Sequence, residues 1–303
     1  MTEIIKSKCG FAAVVGMPNV GKSTLLNRIL GQKLSIVTAK PQTTRNRILA
    51  VHNTDDAQII FLDTPGLHRA KGNLNAYMNK AAEDAIGESD VCVWIVDSAH
   101  RKRREGLLPE EDEVIRRIAT LNLPIIALLN KVDAIKDKKK LLPLLEAVAK
   151  VNGIVEIIPI SALDGDGVDK FIEILVDKLP ISPRLYPKDM LSDKAERFFV
   201  SELIREALTE LTRQELPYST AVTIDKYVEE TDLCLIHAVI HVEKKSQKGI
   251  IIGKNGSMVK EIGTRARQGA EKLLGCPVDL RLHVNIAEDW TKKQSGLKKM
   301  GYE

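Results

Sequence analysis

The chain contains Gly16-Met17-Pro18-Asn19-Val20-Gly21-Lys22-Ser23, a complete Gly-x-x-x-x-Gly-Lys-Ser motif. It follows an apolar run at residues 11–15 and precedes a helical pattern at 24–30, the strand–loop–helix context of a phosphate-binding loop. This context disfavours the alternative, an ordinary glycine-rich turn. Glycines let the backbone curl with its N–H groups pointing inward, and the next helix adds positive charge at its N-terminus. We expect the eight residues and Thr24 to hold a nucleotide, with Lys22 on the β- and γ-phosphates and Ser23 on Mg²⁺.

A second motif, Asp63-Thr64-Pro65-Gly66, follows the apolar run at residues 59–62. A carboxylate at the end of a strand can hold Mg²⁺, usually through water, and the backbone N–H of Gly66 can meet a γ-phosphate. The four residues alone would be a good turn. Their position after a phosphate loop favours a nucleotide-binding role for them and for Leu67, which comes next.

A third motif, Asn130-Lys131-Val132-Asp133, follows the apolar run at residues 125–129. A carboxylate here can accept two parallel hydrogen bonds from the N1–H and the 2-amino group of guanine. Adenine offers no such pair, so a buried Asp133 would be left unpaired against ATP. We expect Asn130 and Lys131 to brace the base pocket; the alternative for these residues is a solvated turn.

Two weaker signals complete the predicted nucleotide site. Ser161 and Ala162 follow a further apolar run at residues 155–160, and their backbone N–H groups could contact the guanine O6. The polar segment at residues 40–45 contains two adjacent threonines, and one of them could bind Mg²⁺ while the γ-phosphate is present and let go afterwards. We choose Thr44 over Thr43; the alternative is a polar surface loop.

Together these motifs resemble the G domain of the translation-factor-related GTPases, in the branch that contains the Era family. That branch departs from Ras-type enzymes, and so does this chain, because Leu67 stands where Ras-type proteins carry a water-orienting glutamine. The resemblance implies that Asn19 helps to bind a K⁺ near the phosphates, where it would stabilise charge in the transition state. Asn19, Lys22 and Thr44 are therefore the predicted catalytic residues, and the alternative for Asn19 is a loop-stabilising side chain.

Composition limits the classes of protein to which the chain can belong. The 303 residues suffice for two domains, and a hydrophobic content of 44% with 28% charged residues is typical of globular proteins. The four cysteines form no C-x-x-C pair, which favours buried thiols in a reducing cytosol over a metal site. We expect no secretory leader and no spanning helix. The basic run at residues 101–104 is interpreted as a solvated loop.

The first 180 residues alternate strand-like and helical stretches, which predicts an α/β fold with a mostly parallel sheet and helices on both faces. Three prolines within residues 180–187 mark a semi-rigid linker. We therefore predict a GTP-binding domain at residues 1–179, a linker at 180–187 and a second domain at 188–303.

The second domain contains Gly253-Lys254-Asn255-Gly256, the G-x-x-G loop of a KH domain, preceded by Ile250-Ile251-Ile252. The glycines let the backbone approach a sugar–phosphate chain, and the isoleucines would form a groove wall on which bases stack. Residues 244–303 hold 13 Lys and Arg against 6 Asp and Glu, a net charge of +7. The predicted element order is that of the α+β type II KH domain, with RNA bound by residues 252–256; the alternative is a β-turn feeding a helix in another α+β fold.

A G domain followed by one such KH domain resembles the Era family of bacterial ribosome-assembly GTPases over essentially the whole chain. The resemblance implies a slow GTPase that uses GTP, GDP and Mg²⁺, and that binds single-stranded RNA at the 3′ region of 16S rRNA during 30S maturation. It also implies a cytoplasmic monomer with peripheral association at the inner membrane. Two other hypotheses remain: a nucleotide-binding module whose hydrolysis is incidental, and a GTP-dependent RNA-modifying enzyme, for which the second domain offers no nucleophile or cofactor motif.

Overall fold

The computed structural model describes residues 7–38, 40–67, 72–101 and 106–302. The chain divides into two compact units. The first comprises residues 1–32, 44–69 and 78–193, and the second comprises residues 33–43, 70–77 and 194–303. Two segments that precede residue 179 therefore belong to the second unit. The sequence-based boundary at 180–187 stays a prediction.

The sheet of the first unit has six strands in the order β2-β3-β1-β4-β5-β6. All neighbours pair in parallel except β2 and β3, which confirms the predicted α/β fold with a mostly parallel sheet. The strands are β1 (Lys8–Gly16), β2 (Ile48–Asn53), β3 (Ala57–Asp63), β4 (Val91–Asp97), β5 (Ile125–Asn130) and β6 (Ile154–Pro159). The helices are α1 (Lys22–Leu30), α2 (Asn73–Gly87), α3 (Pro109–Ala119), α4 (Leu142–Ala149) and α5 (Val168–Lys178).

The strands read as continuous apolar runs because helices cover a parallel sheet on both faces. Strands β3 and β5 are buried along their whole length, and Trp94 of β4 lies in the core. Strands β1, β3, β4 and β5 end at Gly16, Asp63, Asp97 and Asn130. Because these strands are parallel, their carboxyl ends meet at one edge of the sheet, where α/β folds bind ligands.

The proline-rich segment that follows α5 is hydrogen-bonded within the first unit as far as Asp193. The carbonyl of Pro180 accepts from the N–H of Cys9 at 3.1 Å, and the carbonyl of Leu191 accepts from Val51 at 2.9 Å. The fully buried Gln58 accepts from the N–H groups of Leu185 and Tyr186 at 2.9 and 3.0 Å. Side-chain and backbone bonds therefore hold this segment along the sheet.

The second unit contains a three-stranded sheet in the order β7-β8-β9, antiparallel between β7 and β8 and parallel between β8 and β9. Its element order of helix, two strands, two helices and strand confirms the predicted α+β KH fold. The elements are α6 (Glu196–Leu211), β7 (Ala221–Glu229), β8 (Cys234–Val242), α7 (Lys245–Ile252), α8 (Ser257–Leu274), β9 (Val278–Ile286) and α9 (Gln294–Lys299).

Candidate nucleotide and RNA sites

The loop between β1 and α1 needs glycine at Gly21. This residue has φ of 105°, and a Cβ placed there would lie 2.2 Å from the amide nitrogen of Asn130. Gly66 meets the same loop from the other side, since a Cβ on it would lie 2.9 Å from the backbone nitrogen of Pro18. Side chains at either position would push apart the three motifs predicted to surround the nucleotide.

The Lys22 side chain lies inside the loop. Its Nζ donates to the carbonyl oxygens of Gly16 and Met17 at 3.2 and 3.1 Å. Burial lowers the pKa of Lys22 to about 8, although the nearby carboxylate of Asp63 opposes this shift. Loop carbonyls thus hold the ammonium group in the position from which it would reach a phosphate chain.

The three predicted magnesium ligands lie together. Ser23 Oγ lies 3.0 Å from Thr44 Oγ1 and 3.3 Å from Asp63 Oδ2. Thr44 and Asp63 are both buried. The neighbouring Thr43 instead hydrogen-bonds the carbonyl of Lys40 at 2.7 Å. Two hydroxyls and a carboxylate supply the hard oxygen ligands that Mg²⁺ prefers, so the geometry fits Thr44 rather than Thr43.

Two residues of the Asp63–Leu67 stretch have structural contacts. The buried Thr64 hydroxyl donates to the carbonyl of Val14 at 2.7 Å. Leu67 is buried, packs in the core that includes Trp94, and donates its N–H to the carbonyl of Gly16 at 3.2 Å. Its side chain therefore lies in the core and cannot orient a water molecule.

Asn130 joins the phosphate loop to the base pocket. Its buried amide donates to the carbonyl of Val20 at 2.7 Å and accepts from the N–H of Ala162 at 2.9 Å. The N–H of Ser161 donates to the carbonyl of Asp166 at 2.9 Å. The N–H groups of Ser161 and Ala162, predicted to contact the guanine O6, are thus engaged within the protein. They shape the pocket by fixing this turn and Asn130.

The carboxylate predicted to read guanine is not buried. Asp133 lies on a short turn, Val132–Ala134, that follows Lys131 with its left-handed φ of 68°, and its side chain is exposed. The N–H of Val132 donates to the carbonyl of Ile160 at 3.2 Å and fixes this turn at the edge of the sheet. The carboxylate is therefore accessible at this edge, and its pairing with guanine stays a prediction.

Sequence reasoning missed Asp97, which ends β4 at the same edge. Its carboxylate accepts from Lys131 Nζ at 2.6 Å and from the N–H groups of Ala99 and His100 at 2.9 and 3.0 Å. Burial alone would raise the pKa of Asp97, but these hydrogen bonds outweigh burial and hold it below its usual value. An acidic residue at the carboxyl end of a predicted parallel strand was the available signal.

The prediction that Arg101 belongs to a solvated loop is wrong. Its guanidinium makes a two-pronged ion pair with Glu111 at 2.7 and 3.0 Å, and both side chains are buried. A buried glutamate at the start of α3 needs a partner, which is why Arg101 turns inward. The remainder of that run, at residues 102–104, lies outside the described residues.

The predicted RNA loop joins α7 to α8 by a tight turn. Gly253 has φ of 73°, and a Cβ on it would lie 2.8 Å from the backbone nitrogen of Met258. Lys254 and Asn255 are exposed, and α8 begins directly afterwards at Ser257. The loop therefore places an exposed cation close in sequence to a helix N-terminus, where phosphate groups bind favourably.

The predicted groove wall of three isoleucines is only partly exposed. Ile251 is fully buried in the core of the second unit, whereas Ile250 is 53% exposed and Ile252 is partly buried. These residues lie on a helix rather than a strand, so neighbouring side chains point to different sides. Of the three, Ile250 and Ile252 remain available for stacking with a base.

Comparison with known proteins agrees with the domain type predicted for each half of the chain. The family model for the 50S ribosome-binding GTPases matches residues 11–131, and the KH domain model matches residues 215–291. The GTPase Era of Syntrophus aciditrophicus is 45% identical over 300 residues, covering 98% of this chain and 96% of its own. The chain belongs to the Era family of GTPases. Era of Geobacter metallireducens is 46% identical over 97% of this chain and 98% of its own.

Solved Era structures share the fold. Era in complex with MgGDPNP and nucleotides 1506–1542 of 16S ribosomal RNA has a TM-score of 0.93 and 40% identity, covering 98% of this chain and 99% of that one. Aquifex aeolicus Era bound to GDP·AlF₄⁻ has a TM-score of 0.92 and 40% identity, covering 97% and 99%. Within the described residues, no helix is both long enough and apolar enough to cross a membrane.

Proposed function

We propose that this protein is a GTP-hydrolysing switch that binds single-stranded RNA, with the 3′ region of 16S rRNA as its target in maturation of the 30S subunit. One observation carries the proposal: Ser23, Thr44 and Asp63 converge beside a phosphate loop in a chain that also has a KH loop. The Era structure with a GTP analogue and a 16S rRNA segment supports the choice of RNA.

In this function, the backbone of residues 16–24 would hold the phosphates and Lys22 would neutralise their charge. Ser23, Thr44 and Asp63 would hold Mg²⁺, which when bound bridges β- and γ-phosphate oxygens and offsets charge. Asp133 would accept from the guanine edge, with Asn130 and Lys131 supporting the pocket. Turnover would be slow, because the Leu67 side chain lies in the core and offers no polar group to the attacking water.

Asn19 would bind K⁺ next to the phosphates, and this cation would stabilise the charge of the transition state. Asn19 is exposed and has a left-handed φ of 62°. We expect kcat to fall about tenfold when Na⁺ replaces K⁺, and Asn19→Ala to remove this dependence. Asn122→Ala is the matched control, because Asn122 is also exposed and has φ of 54°. Equal rates in the two salts would contradict the role of K⁺.

RNA binding is tested with the full chain. Gly256 has φ of 77° and open space around its Cβ position, so Gly256→Asp adds a negative charge to the loop without a clash. Gly275, at the other end of α8, has φ of 70° and equally open space, and Gly275→Asp is the control. We expect only the first variant to lose affinity for a 16S 3′-end oligonucleotide. Wild-type affinity in Gly256→Asp would contradict the KH site.

We further propose that the protein acts in the cytoplasm as a monomer that joins 30S precursors, with a minor fraction at the inner membrane. Buried Cys9, Cys92 and Cys234 support a reducing compartment. Sedimentation of cell extracts tests the ribosomal part. Co-migration of the wild type with 30S precursors that is lost in Gly256→Asp would support it, and absence of the wild type from these fractions would contradict it.

A further inference from the structure

Two turns lie side by side in the first unit, at the edge of the sheet where the base pocket is proposed. One spans residues 132–134 and carries Asp133, and the other spans residues 161–166. The N–H of Val132 donates to the carbonyl of Ile160 at 3.2 Å. This hydrogen bond ties the start of the first turn to the residue that precedes the second.

The turn at residues 161–166 is closed by short-range hydrogen bonds. The Ser161 hydroxyl accepts from the N–H of Asp164 at 3.0 Å, and the Ser161 carbonyl accepts from the N–H of Gly165 at 2.8 Å. The other N–H groups of residues 161–165 all donate within the protein, whereas no described residue accepts from the N–H of Leu163. This N–H is therefore the donor that the turn can offer to an acceptor on a ligand.

A side chain from α1 holds this turn at Leu163. The Arg28 guanidinium donates to the carbonyl oxygen of Leu163, and its Cζ lies 3.7 Å from the place that a Cβ on Gly165 would occupy. Only the two backbone dihedral angles of Leu163 separate its carbonyl from its N–H, so a fixed carbonyl restricts the direction of the N–H. Arg28 is exposed and lies outside every motif that predicts nucleotide binding.

A lysine holds the other turn in the same way. Lys138 Nζ donates to the carbonyl oxygen of Val132, which also accepts from the N–H of Ile135 at 3.1 Å. The Val132 carbonyl belongs to the planar peptide group that leads into Asp133, so fixing it restricts the backbone from which the carboxylate projects. Lys138 is exposed, as Arg28 is, and belongs to the same unit.

We propose that Arg28 and Lys138 are positioning residues for the base pocket, and that each contributes to the preference for guanine by holding one turn through a backbone carbonyl. The inference rests on the proposed function, in which these turns face the base. Lys138 acts through Asp133 on the N1–H and the 2-amino group, and Arg28 acts through the Leu163 N–H on O6. In both contacts a cation is the donor, which makes the hydrogen bond stronger than one between neutral groups.

The test compares GDP with two analogues that each change one edge atom of the base. Inosine diphosphate lacks the 2-amino group, and 6-thioguanosine diphosphate has sulfur, a weaker acceptor, in place of O6. Affinity of the full chain for each is measured with Mg²⁺ by competition against a fluorescent guanine nucleotide, and Tm is recorded for every variant.

An interaction that an analogue has already lost cannot be lost again, so each variant should affect its own analogue less than GDP. We expect Lys138→Ala to weaken GDP binding about threefold and inosine diphosphate binding by less. We expect Arg28→Ala to weaken GDP binding about threefold and 6-thioguanosine diphosphate binding by less. Lys138→Arg and Arg28→Lys keep a cationic donor and should restore the binding of GDP.

Arg116→Ala and Lys139→Ala are the matched controls, because both residues are exposed in the same unit, and they should leave all three affinities unchanged. The inference is overturned for a residue whose alanine variant binds GDP as the wild type does, or loses GDP and its analogue equally. A wild type that binds both analogues as tightly as GDP would instead overturn the proposed base pocket, so the two failures are distinguishable.

Discussion

The Lys131 ammonium group lies 2.6 Å from the carboxylate of Asp97, although Asp97 ends β4 and Lys131 follows the end of β5. The same ammonium donates to the carbonyl oxygen of Asn19 at 2.7 Å. Asp97 therefore holds the Lys131 side chain against the phosphate loop at Asn19. Lys131 in this way links that loop to the base-pocket motif. This contact joins two motifs that lie 112 residues apart in the chain.

Asp97→Asn is expected to weaken binding of both GDP and GTP by about tenfold, because it removes a partly buried charge-assisted hydrogen bond. Equilibrium titration with a fluorescent guanine nucleotide measures the loss. Asp112→Asn is the control, since Asp112 forms only an exposed ion pair with Arg116. Equal affinity in Asp97→Asn and wild type would show that Lys131 needs no partner.

Nucleotide binding is expected to take up a proton above about pH 8, where Lys22 of the free protein loses its charge. Phosphates favour the charged ammonium, so the pKa of Lys22 rises on binding. Between the free and bound values, binding takes up a proton and affinity falls as pH rises. Below the free value Lys22 is charged in both states and contributes no uptake.

Calorimetry of GDP binding in two buffers of different ionisation enthalpy measures this proton uptake. At about pH 8.5 the apparent enthalpies should differ by more than at about pH 6.5. The control is Lys22→Met, which should bind weakly and lose this pH dependence. A wild-type affinity that does not change between the two pH values would contradict the assignment.

Asp133→Asn is expected to weaken GTP binding at least about tenfold and to favour XTP. Xanthine has a carbonyl oxygen where guanine has the 2-amino group, so it accepts from the asparagine amide. Competition of GTP and XTP against a fluorescent nucleotide measures the change. Asp137→Asn, in the same exposed stretch, is the control. Undiminished GTP affinity in Asp133→Asn would place the base-reading group elsewhere.

Leu67→Ala is expected to cost stability rather than chemistry. The side chain is 5% exposed and packs in the core, so its truncation should lower the free energy of unfolding by about 2–4 kcal/mol. Urea unfolding followed by circular dichroism measures this loss, while kcat per folded molecule should stay near wild type. A large fall in kcat without a loss of stability would give the Leu67 side chain a direct catalytic role.

Much of the fold and the site followed from local pattern. Lys22 and Ser23 were identifiable because a phosphate loop is built from consecutive residues, and its chemistry depends on their order. Asp63 and Asn130 followed from the apolar runs before them, since parallel strands bring their carboxyl ends to one edge. The KH loop was recognised for the same reason, as its two glycines and the helix after it are adjacent in sequence.

Tertiary structure decided everything that depends on which side chains meet. No spacing in the sequence pairs Asp97 with Lys131, or sends Leu67 and Ile251 into cores while Asp133 stays exposed. The contact of Glu206 with Val37 joins residues 169 positions apart. A buried polar group needs a hydrogen-bond partner. Which partner it meets depends on the three-dimensional packing of the chain and not on any local motif.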